Sequence, residues 1–391
     1  MSRTIAMVKG TIWAPEWSTY TDRRTGLKVH QLTDYRGHSR LPYFTEQPLY
    51  DNGKRLLFIS DRDNSANLFS MQLETGEMTQ LTTYANNDDL DVALTPDEQY
   101  ALVSDKQVIR ALHLTHFRER IKYRCPEGYV LGNITCTADS RTLLTCITED
   151  LSQRIDTDLG NGYVGHREWM DAQPNSIIIA VDLKSGQSRE VFHTRHFVTH
   201  INASPTLPWL LTFCHEGPWH LVDHRIWGLD LRNGEVWSIR QRREDGEAVG
   251  HECFLPDGEQ IGYHGISTDG TCFFGRIRYD NTRLEEQEIP FSTWHLYQNE
   301  ALAVADGQGA VDTLHLWQRD TNGSYDGAYE VCELRCSFHS QKLHAHPRLS
   351  EDGRRLFFNS DRHGYGNLYM VELPEELGQL PRFKRSEHDG V

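Results

Sequence analysis

A turn followed by a short apolar strand recurs along the chain, and this repeat limits the possible folds more than any other feature of the sequence. The turns contain Asp-Gly, Pro-Asp or a related pair, and most of them lie roughly 42 to 53 residues apart. The copies that begin at Ser204 and Gln298 are weaker than the others. All the copies begin at Asp51, Thr95, Thr137, Ser204, Leu255, Gln298 and Ser350.

A second unit follows some of these turns. The segments SMQLETGEMTQLT, AVDLKSGQSREVF and WGLDLRNGEVWSIR each have the pattern of a strand, a glycine-containing turn and another strand. Together the two units give four strands in a repeat of about 40 to 45 residues, which is typical of a propeller blade. The sequence therefore predicts an all-β protein, a seven-bladed β-propeller that residues 1–391 form as a single domain.

The two ends of the chain complement each other. Residues 20–33 have the pattern strand, turn, strand, whereas the last repeat, which starts at Ser350, ends after three strands. We expect the strand near Lys28–Thr33 to complete the last blade and close the ring, because closure removes exposed sheet edges. The segments 110–130 and 150–172 are the least regular, and we expect insertions or short helices in them.

The composition excludes several kinds of partner. The formal net charge of −16 argues against nucleic acid and anionic membranes, which require basic surfaces, whereas a small acidic ligand needs only a local basic cleft. The eight cysteines are scattered without a C-x-x-C pair, so we expect reduced thiols. The N-terminal segment lacks the apolar core of a secretion signal, and no apolar run approaches the roughly 20 residues of a membrane span. These features predict a cytoplasmic protein, and they do not indicate its oligomeric state.

Histidines recur just before the turns of the later repeats. His344 and His346 are two residues apart, so in an extended strand both imidazoles would point to the same face. Gln341 is out of that alternation and could join them only through a bend in the chain. Similar positions in the three preceding repeats are occupied by His200, His251 and His295. Because these positions belong to the inner strands, we expect a shared metal site or acid–base site on the propeller axis.

Part of this set resembles a metal site. Three imidazoles and one amide oxygen, with coordination positions left open, are typical of a catalytic metal centre, and they allow zinc, iron, nickel or manganese. The candidate ligands are His295, His344, His346 and Gln341.

Arg225 is a second candidate, because it lies between apolar residues in the segment CHEGPWHLVDHRIW. A buried guanidinium needs an anionic partner. That partner is either a neighbouring carboxylate, Glu216 or Asp223, or an anionic ligand, which a guanidinium can bind through two hydrogen bonds. The sequence leaves both alternatives open.

Over nearly its whole length the chain resembles the oligogalacturonate lyase (oligogalacturonide lyase) family. The similarity is densest in CHEGPWHLVDHRIW, GHECFLPDG, TWHLYQNEALAVADG and QKLHAHPRLSEDGRRLFFNSDRHG. It implies a cytoplasmic seven-bladed propeller that cleaves short oligogalacturonides, especially the disaccharide, by β-elimination with manganese.

The resemblance also implies roles for individual residues. The implied metal ligands are His295, Gln341, His344 and His346. His251 would be the catalytic base, and Arg225 would stabilise the uronate carboxylate. His200 and His215 match family histidines in or near the cleft, which makes them candidates for substrate binding.

Two segments depart from the family pattern, namely Arg36–Tyr43 and residues 150–172. If these segments line the cleft, the substrate could be a different uronide-containing oligosaccharide. A non-enzymatic propeller scaffold of the translocation-protein type is a further alternative. A peptidase-like hydrolase is disfavoured, because the chain has no G-x-S-x-G nucleophile motif.

Overall fold

Seven antiparallel β-sheets follow one another along the chain and form the blades of a β-propeller, as the repeat predicts. The computed structural model describes residues 8–160, 162–307 and 312–384. In blades 2 to 6, the strands are hydrogen-bonded to their neighbours in chain order. The short connections and the alternating strand directions account for this order, since consecutive strands joined by tight turns pair with each other.

The first strands precede the blades and are β1 (Ile12–Trp13), β2 (Ser18–Thr21) and β3 (Lys28–Gln31). Blade 1 contains β4 (Ser39–Arg40), β5 (Leu49–Tyr50), β6 (Arg55–Ser60), β7 (Asn67–Gln72) and β8 (Met78–Gln80). Blade 2 contains β9 (Asp91–Leu94), β10 (Tyr100–Ser104), β11 (Val108–His113) and β12 (Glu119–Arg124). Blade 3 contains β13 (Tyr129–Cys136), β14 (Thr142–Glu149), β15 (Ser176–Asp182) and β16 (Ser188–Thr194).

Blade 4 contains β17 (Val198–Ala203), β18 (Leu210–His215), β19 (Ile226–Asp230) and β20 (Val236–Ser238). Blade 5 contains β21 (Ala248–Phe254), β22 (Gln260–Ile266), β23 (Cys272–Arg278) and β24 (Glu285–Ile289). Blade 6 contains β25 (Leu296–Gln298), β26 (Leu302–Ala305), β27 (Thr313–Arg319) and β28 (Tyr325–Glu333). Blade 7 contains β29 (Arg348–Leu349), β30 (Arg355–Ser360) and β31 (Asn367–Glu372). One α-helix, α1 (His166–Ala172), and three 3-10 turns, Arg62–Asn64, Gln341–Leu343 and Leu377–Gln379, complete the described elements.

The N-terminal strands close the ring, which confirms the prediction. Strand β3 pairs with β31, with Val29 opposite Val371, and β2 pairs with β3 on its other side. Blade 7 therefore has five strands, two of which come from the start of the chain. Strand β1 continues past this blade and pairs with β8 of blade 1.

The core lies between neighbouring blades. Residues of blade 6 such as Leu314 and Val331 pack in one cluster with Phe358 and Tyr369 of blade 7. Each blade is covered on both faces, so its middle strands are almost entirely buried, as in Arg55–Ser60. This burial on both faces explains why these strands appear in the sequence as continuous apolar runs.

The first strand of each blade lies closest to the axis. Strand β13, for example, contacts the first strands of both neighbouring blades, β9 and β17. This arrangement places the histidines that precede the repeat turns around the centre of the ring, as the sequence predicts.

Insertions or short helices were predicted for residues 110–130 and 150–172, and the structure contains one in only the second of these segments. Residues 150–175 form an insertion between β14 and β15 that contains α1, as expected. Residues 110–130 instead contain the regular strand β12, whose sequence ERIKYR is mostly polar because this outermost strand is partly exposed. All eight cysteines are free thiols. No helix in the described ranges is long and apolar enough to cross a membrane.

Candidate active site

A cavity of about 720 Å³ opens on the propeller axis. Five of the residues that the sequence analysis selected line it, namely His200, Arg225, His251, Gln341 and His346. His295 and His344 lie directly beneath this lining. The ring centre of His295 is 4.4 Å from that of His346 and 5.2 Å from that of His344.

An unusual backbone conformation directs three of the histidines. The φ angles of His200, His251 and His346 are 50°, 51° and 45°, in the left-handed region that residues other than glycine rarely adopt. In β17 and β21 the pairing with the next strand shifts register at the histidine. Such bulges re-aim a side chain, and here they recur at the same place in different blades. The repeated strain is consistent with a functional site.

The segment around His344 differs from the expected strand. Strand β29 begins only at Arg348, and the two histidines precede it in irregular backbone. Asn359 holds this backbone, because its side-chain amide donates to the carbonyl of His344 at 2.9 Å. The expectation of a regular strand was wrong, because the left-handed conformation at His346 breaks the extended path. The two rings nevertheless lie 5.8 Å apart, and a 3-10 turn at Gln341–Leu343 supplies the bend that Gln341 requires.

His295, His344 and His346 form a cluster that fits a transition metal. One ring nitrogen of each lies within 4.8 Å of the others. Nδ1 of His344 and Nε2 of His346 are buried without a hydrogen-bond partner among the described residues. Burial lowers the pKa of His344 to about 3 and that of His346 well below its usual value, so both imidazoles are neutral at neutral pH, the form that binds metals. Gln341 lines the same cavity.

Asp306 orients the third imidazole of the cluster. Its Oδ2 accepts a hydrogen bond from Nδ1 of His295 at 2.7 Å, which fixes the proton of the neutral imidazole on Nδ1 and makes Nε2 the potential ligand. Oδ1 of Asp306 accepts from the backbone N–H groups of Trp294 and His295. No role was predicted for Asp306 from the sequence. The sequence did contain one signal for Asp306: it directly follows the buried strand β26, inside a segment that resembles the family.

His251 lies beside this cluster in a state suited to accept a proton. Its ring stacks on that of His295 with the centres 5.1 Å apart. Nδ1 of His251 donates to the carbonyl oxygen of Trp294 at 2.5 Å, so Nε2 carries no proton. Burial and neighbouring histidines lower the pKa of His251 well below its usual value. His264, which the sequence analysis missed, donates to the same carbonyl at 3.1 Å.

Arg225 has an internal partner and also faces the cavity. Its Nη1 lies 2.9 Å from Oε1 of Glu216, and its Nη2 lies 3.5 Å from Oε2. Burial alone would raise the pKa of Glu216, but Arg225 and His166 hold it well below the usual range. Glu216 is therefore a carboxylate that fixes the guanidinium in place. Asp223, the other partner that the sequence left open, binds His215 instead.

The structure separates the two remaining candidates. Nε2 of His200 lies 3.4 Å from the hydroxyl of Tyr43 and 3.6 Å from Oε2 of Glu216, within the cavity. His215 is not among the described residues that line the cavity. Its Nδ1 lies 2.8 Å from Oδ1 of Asp223, and its ring stacks on that of His196 with centres 3.9 Å apart.

The comparisons with known proteins agree with this geometry. A family model described as oligogalacturonate lyase matches residues 7–377. The chain belongs to the oligogalacturonate lyase family. It is 26% identical to an oligogalacturonide lyase of Pectobacterium atrosepticum, over 95% of this chain and 100% of that protein. An oligogalacturonate lyase solved in complex with manganese has a TM-score of 0.86 and 25% identity, over 95% of this chain and 100% of that chain. A solved oligogalacturonate lyase of Vibrio parahaemolyticus, with 24% identity over 94% of this chain and 99% of that chain, has a TM-score of 0.84.

Membership of the oligogalacturonate lyase family identifies the chain as an enzyme of the lyase class. This result decides against the non-enzymatic scaffold that the repeats alone left possible.

In this member of the oligogalacturonate lyase family, both divergent segments reach the site. Arg40 and Tyr43 of the first segment line the cavity, as do Tyr163 and His166 of the insertion between β14 and β15. The hydroxyl of Tyr163 accepts a hydrogen bond from the amide nitrogen of Gln341 at 3.0 Å. That contact leaves the amide oxygen of Gln341 free to act as a ligand. No motif in these segments indicates such contacts, because they join parts of the chain that are far apart in sequence.

Proposed function

We propose that this enzyme cleaves short oligogalacturonides, such as digalacturonate and unsaturated digalacturonate, by metal-assisted β-elimination in pectin degradation. One observation carries the proposal. His251, with an unprotonated Nε2, stacks at 5.1 Å on His295 of the three-histidine cluster, within a cavity on the propeller axis. A base and a metal site are thus adjacent, as proton removal next to a carboxylate requires.

His251 acts as the base in this scheme. Nε2 takes the proton from C5 of the uronate, the C5–H electrons form the C4=C5 double bond, and the bond from C4 to the glycosidic oxygen breaks. The leaving oxygen takes a proton from water, and protonated His251 returns its proton to the solvent, which restores both the base and the water. The lowered pKa of His251 keeps the imidazole neutral at neutral pH, so the lone pair of Nε2 is available to the substrate. The hydrogen bond from Nδ1 to the carbonyl of Trp294 keeps the ring oriented during the transfer.

His295, Gln341, His344 and His346 would hold the metal, and we propose Mn²⁺. Support comes from the partnerless nitrogens of His344 and His346, and from the oligogalacturonate lyase solved in complex with manganese. A divalent metal bound there supplies a Lewis acid that stabilises negative charge on the uronate carboxylate.

Arg225 would bind the same carboxylate as the charge develops on it. Glu216 keeps the guanidinium in a fixed position, so little reorganisation is needed when the substrate arrives. His200, which is half-buried in the cavity wall beside Glu216, would contact the sugar hydroxyls. For His215, which lies outside the lining, we propose an indirect contribution to substrate binding: its bond to Asp223 steadies the segment that leads to Arg225.

The test is incubation of the metal-loaded protein with digalacturonate, followed by mass analysis of the products. The expected product is a keto-deoxy uronate together with galacturonate. The same protein freed of metal with a chelator is the control and is expected to be inactive. Absence of product from protein with Mn²⁺ bound would overturn the proposed reaction on this substrate.

A β-eliminase for a different uronide-containing oligosaccharide is a second candidate. The observation that favours it is the contribution of both divergent segments to the cavity, through Arg40, Tyr43, Tyr163 and His166. A panel of uronide disaccharides assayed beside digalacturonate distinguishes the two, since the second candidate predicts a higher kcat/KM for another disaccharide.

A further inference from the structure

Three cations meet on one wall of the cavity, and the proposed mechanism uses none of them. Arg40 lies in β4, Lys106 follows β10, and Lys342 lies in the 3-10 turn next to Gln341. All three line the cavity. Their positive charges also interact with one carboxylate, that of Asp89. Burial alone would raise the pKa of Asp89, but the three cations together lower it below the usual value. Three segments that are distant in sequence therefore converge on this wall.

The three cations differ in how they are held. Arg40 forms an ion pair with Asp89 and donates to the carbonyl of Leu90 at 2.6 Å, so it is fixed by the protein. The ammonium of Lys342 donates to the backbone carbonyl of Asp88, which carries no net charge. Within the described ranges, neither Lys106 nor Lys342 has a carboxylate oxygen within the 4.0 Å of an ion pair. This is unusual in a chain of net charge −16.

A second carboxylate lies on the same wall as Asp89. Asp91 also lines the cavity, but its Oδ2 accepts the backbone N–H of Ile134 at 3.1 Å. Burial raises the pKa of Asp91 to about 6. Asp91 is thus held by the backbone, and among the described residues it forms no ion pair with Lys106 or Lys342.

We propose that Lys342 and Lys106, beside the fixed Arg40, bind the carboxylate of the sugar that leaves, the second uronate of the substrate. The inference rests on the proposed function, in which Arg225 and the metal would bind the first carboxylate. Lys342 directly follows the proposed ligand Gln341, and the charge of Arg40 acts on His346, so the cationic wall adjoins the metal cluster. A cavity of about 720 Å³ has room for more than one sugar.

This subsite would select an acidic sugar over a neutral one. A uronate there gives each ammonium a charge-assisted hydrogen bond, whereas a neutral hexose leaves both ammonium groups without an anionic partner. Hence the subsite favours a uronide of two acidic sugars over one in which a neutral sugar leaves.

The experiment uses two substrates that differ only in the leaving sugar. One is digalacturonate, and the other is the disaccharide in which neutral galactose replaces the leaving galacturonate. Lys342→Gln and Lys106→Gln are compared with Lys184→Gln, which removes an exposed lysine on the β15–β16 turn outside this cavity. All proteins are metal-loaded, and both KM and the calorimetric Kd are measured.

For digalacturonate we expect Lys342→Gln to raise KM and Kd about tenfold. We expect Lys106→Gln to raise them about threefold, because Lys106 is more exposed than Lys342. The value of kcat is expected to stay within about twofold, and Lys184→Gln to match the unmodified protein. For the neutral-leaving disaccharide, both lysine variants are expected to leave KM unchanged. Equal effects on the two substrates, or no effect on digalacturonate, would overturn the subsite. If digalacturonate binds with this pattern and is not cleaved, the proposed reaction fails and the subsite stands.

Discussion

Asp306 is expected to control metal affinity through His295, and the substitution Asp306→Asn tests this. Oδ1 of Asp306 accepts three hydrogen bonds, from Thr293 and from the backbone of Trp294 and His295, and an asparagine oxygen preserves them. Oδ2 contacts only Nδ1 of His295, at 2.7 Å, and becomes an NH₂ donor in the variant. Two donors cannot face each other, so the proton of the imidazole must move to Nε2, the nitrogen that would bind the metal.

The size of the effect follows from this tautomer change. Removing the carboxylate partner of a metal-bound histidine typically weakens metal binding about 10- to 100-fold, or about 1.4 to 2.7 kcal/mol. The Kd for Mn²⁺, measured by calorimetry on chelator-treated protein, is expected to rise by that factor. The fold is expected to persist, because the hydrogen bonds to Oδ1 remain.

A matched control is Asp320→Asn in the same blade. Oδ1 of Asp320 also accepts backbone N–H groups, from Asn322 and Ser324, but no histidine is its partner. This control is expected to bind Mn²⁺ like the unmodified protein. If Asp306→Asn bound Mn²⁺ within about twofold of the unmodified protein, with an unchanged circular dichroism spectrum, the reasoning about the tautomer would be refuted.

Three further predictions concern the base, the guanidinium and the stability of the fold. His251→Ala is expected to keep Mn²⁺ but lose turnover, whereas His295→Ala loses both; near-normal rates in His251→Ala would exclude it as the base. Arg225→Lys is expected to lower kcat/KM for digalacturonate about 100-fold, because an ammonium cannot keep the Glu216 pair and also bind a carboxylate through two parallel bonds; a change below about threefold would contradict this. Burial lowers the pKa of His315 to about 3, whereas in the unfolded chain it is roughly 6.5. Below about pH 6.5 the unfolded state therefore binds more protons than the folded state, and the free energy of unfolding decreases as the pH falls. Urea unfolding of metal-free protein is expected to show a loss of about 1 kcal/mol from this group between pH 7 and pH 5.5, which His315→Gln removes; an identical pH dependence in that variant would argue against it.

Much of the fold was predictable because its information is local. A turn residue, a short apolar strand and a glycine hairpin each depend on neighbours in sequence, and their recurrence defines a blade. The ring closure by β3 was also predictable, from the missing strand of the last repeat. The polar strand β12 was not, because an exposed outer strand has little apolar alternation.

The candidate site was predictable only in part. The position of His251 and His346 within the repeat indicated that they face the axis, and the structure places both in the cavity wall. His344 was expected in a regular strand, which was wrong, because the left-handed conformation two residues later, at His346, breaks the extended path. His215 matches a family histidine in sequence, but such a match does not say how far a residue lies from the cavity, and His215 lies outside the lining.

By itself, the sequence determined the number of blades, the closure of the ring and the set of histidines that converge on its axis. These follow from periodicity, which depends only on spacing along the chain. Only the tertiary structure decided which partner each of these groups has: Asp306 for His295, the carbonyl of Trp294 for His251 and Glu216 for Arg225. The physical reason is that protonation state and ring orientation are set by contacts a few ångströms long, between segments whose separation in sequence carries no information about their distance in space.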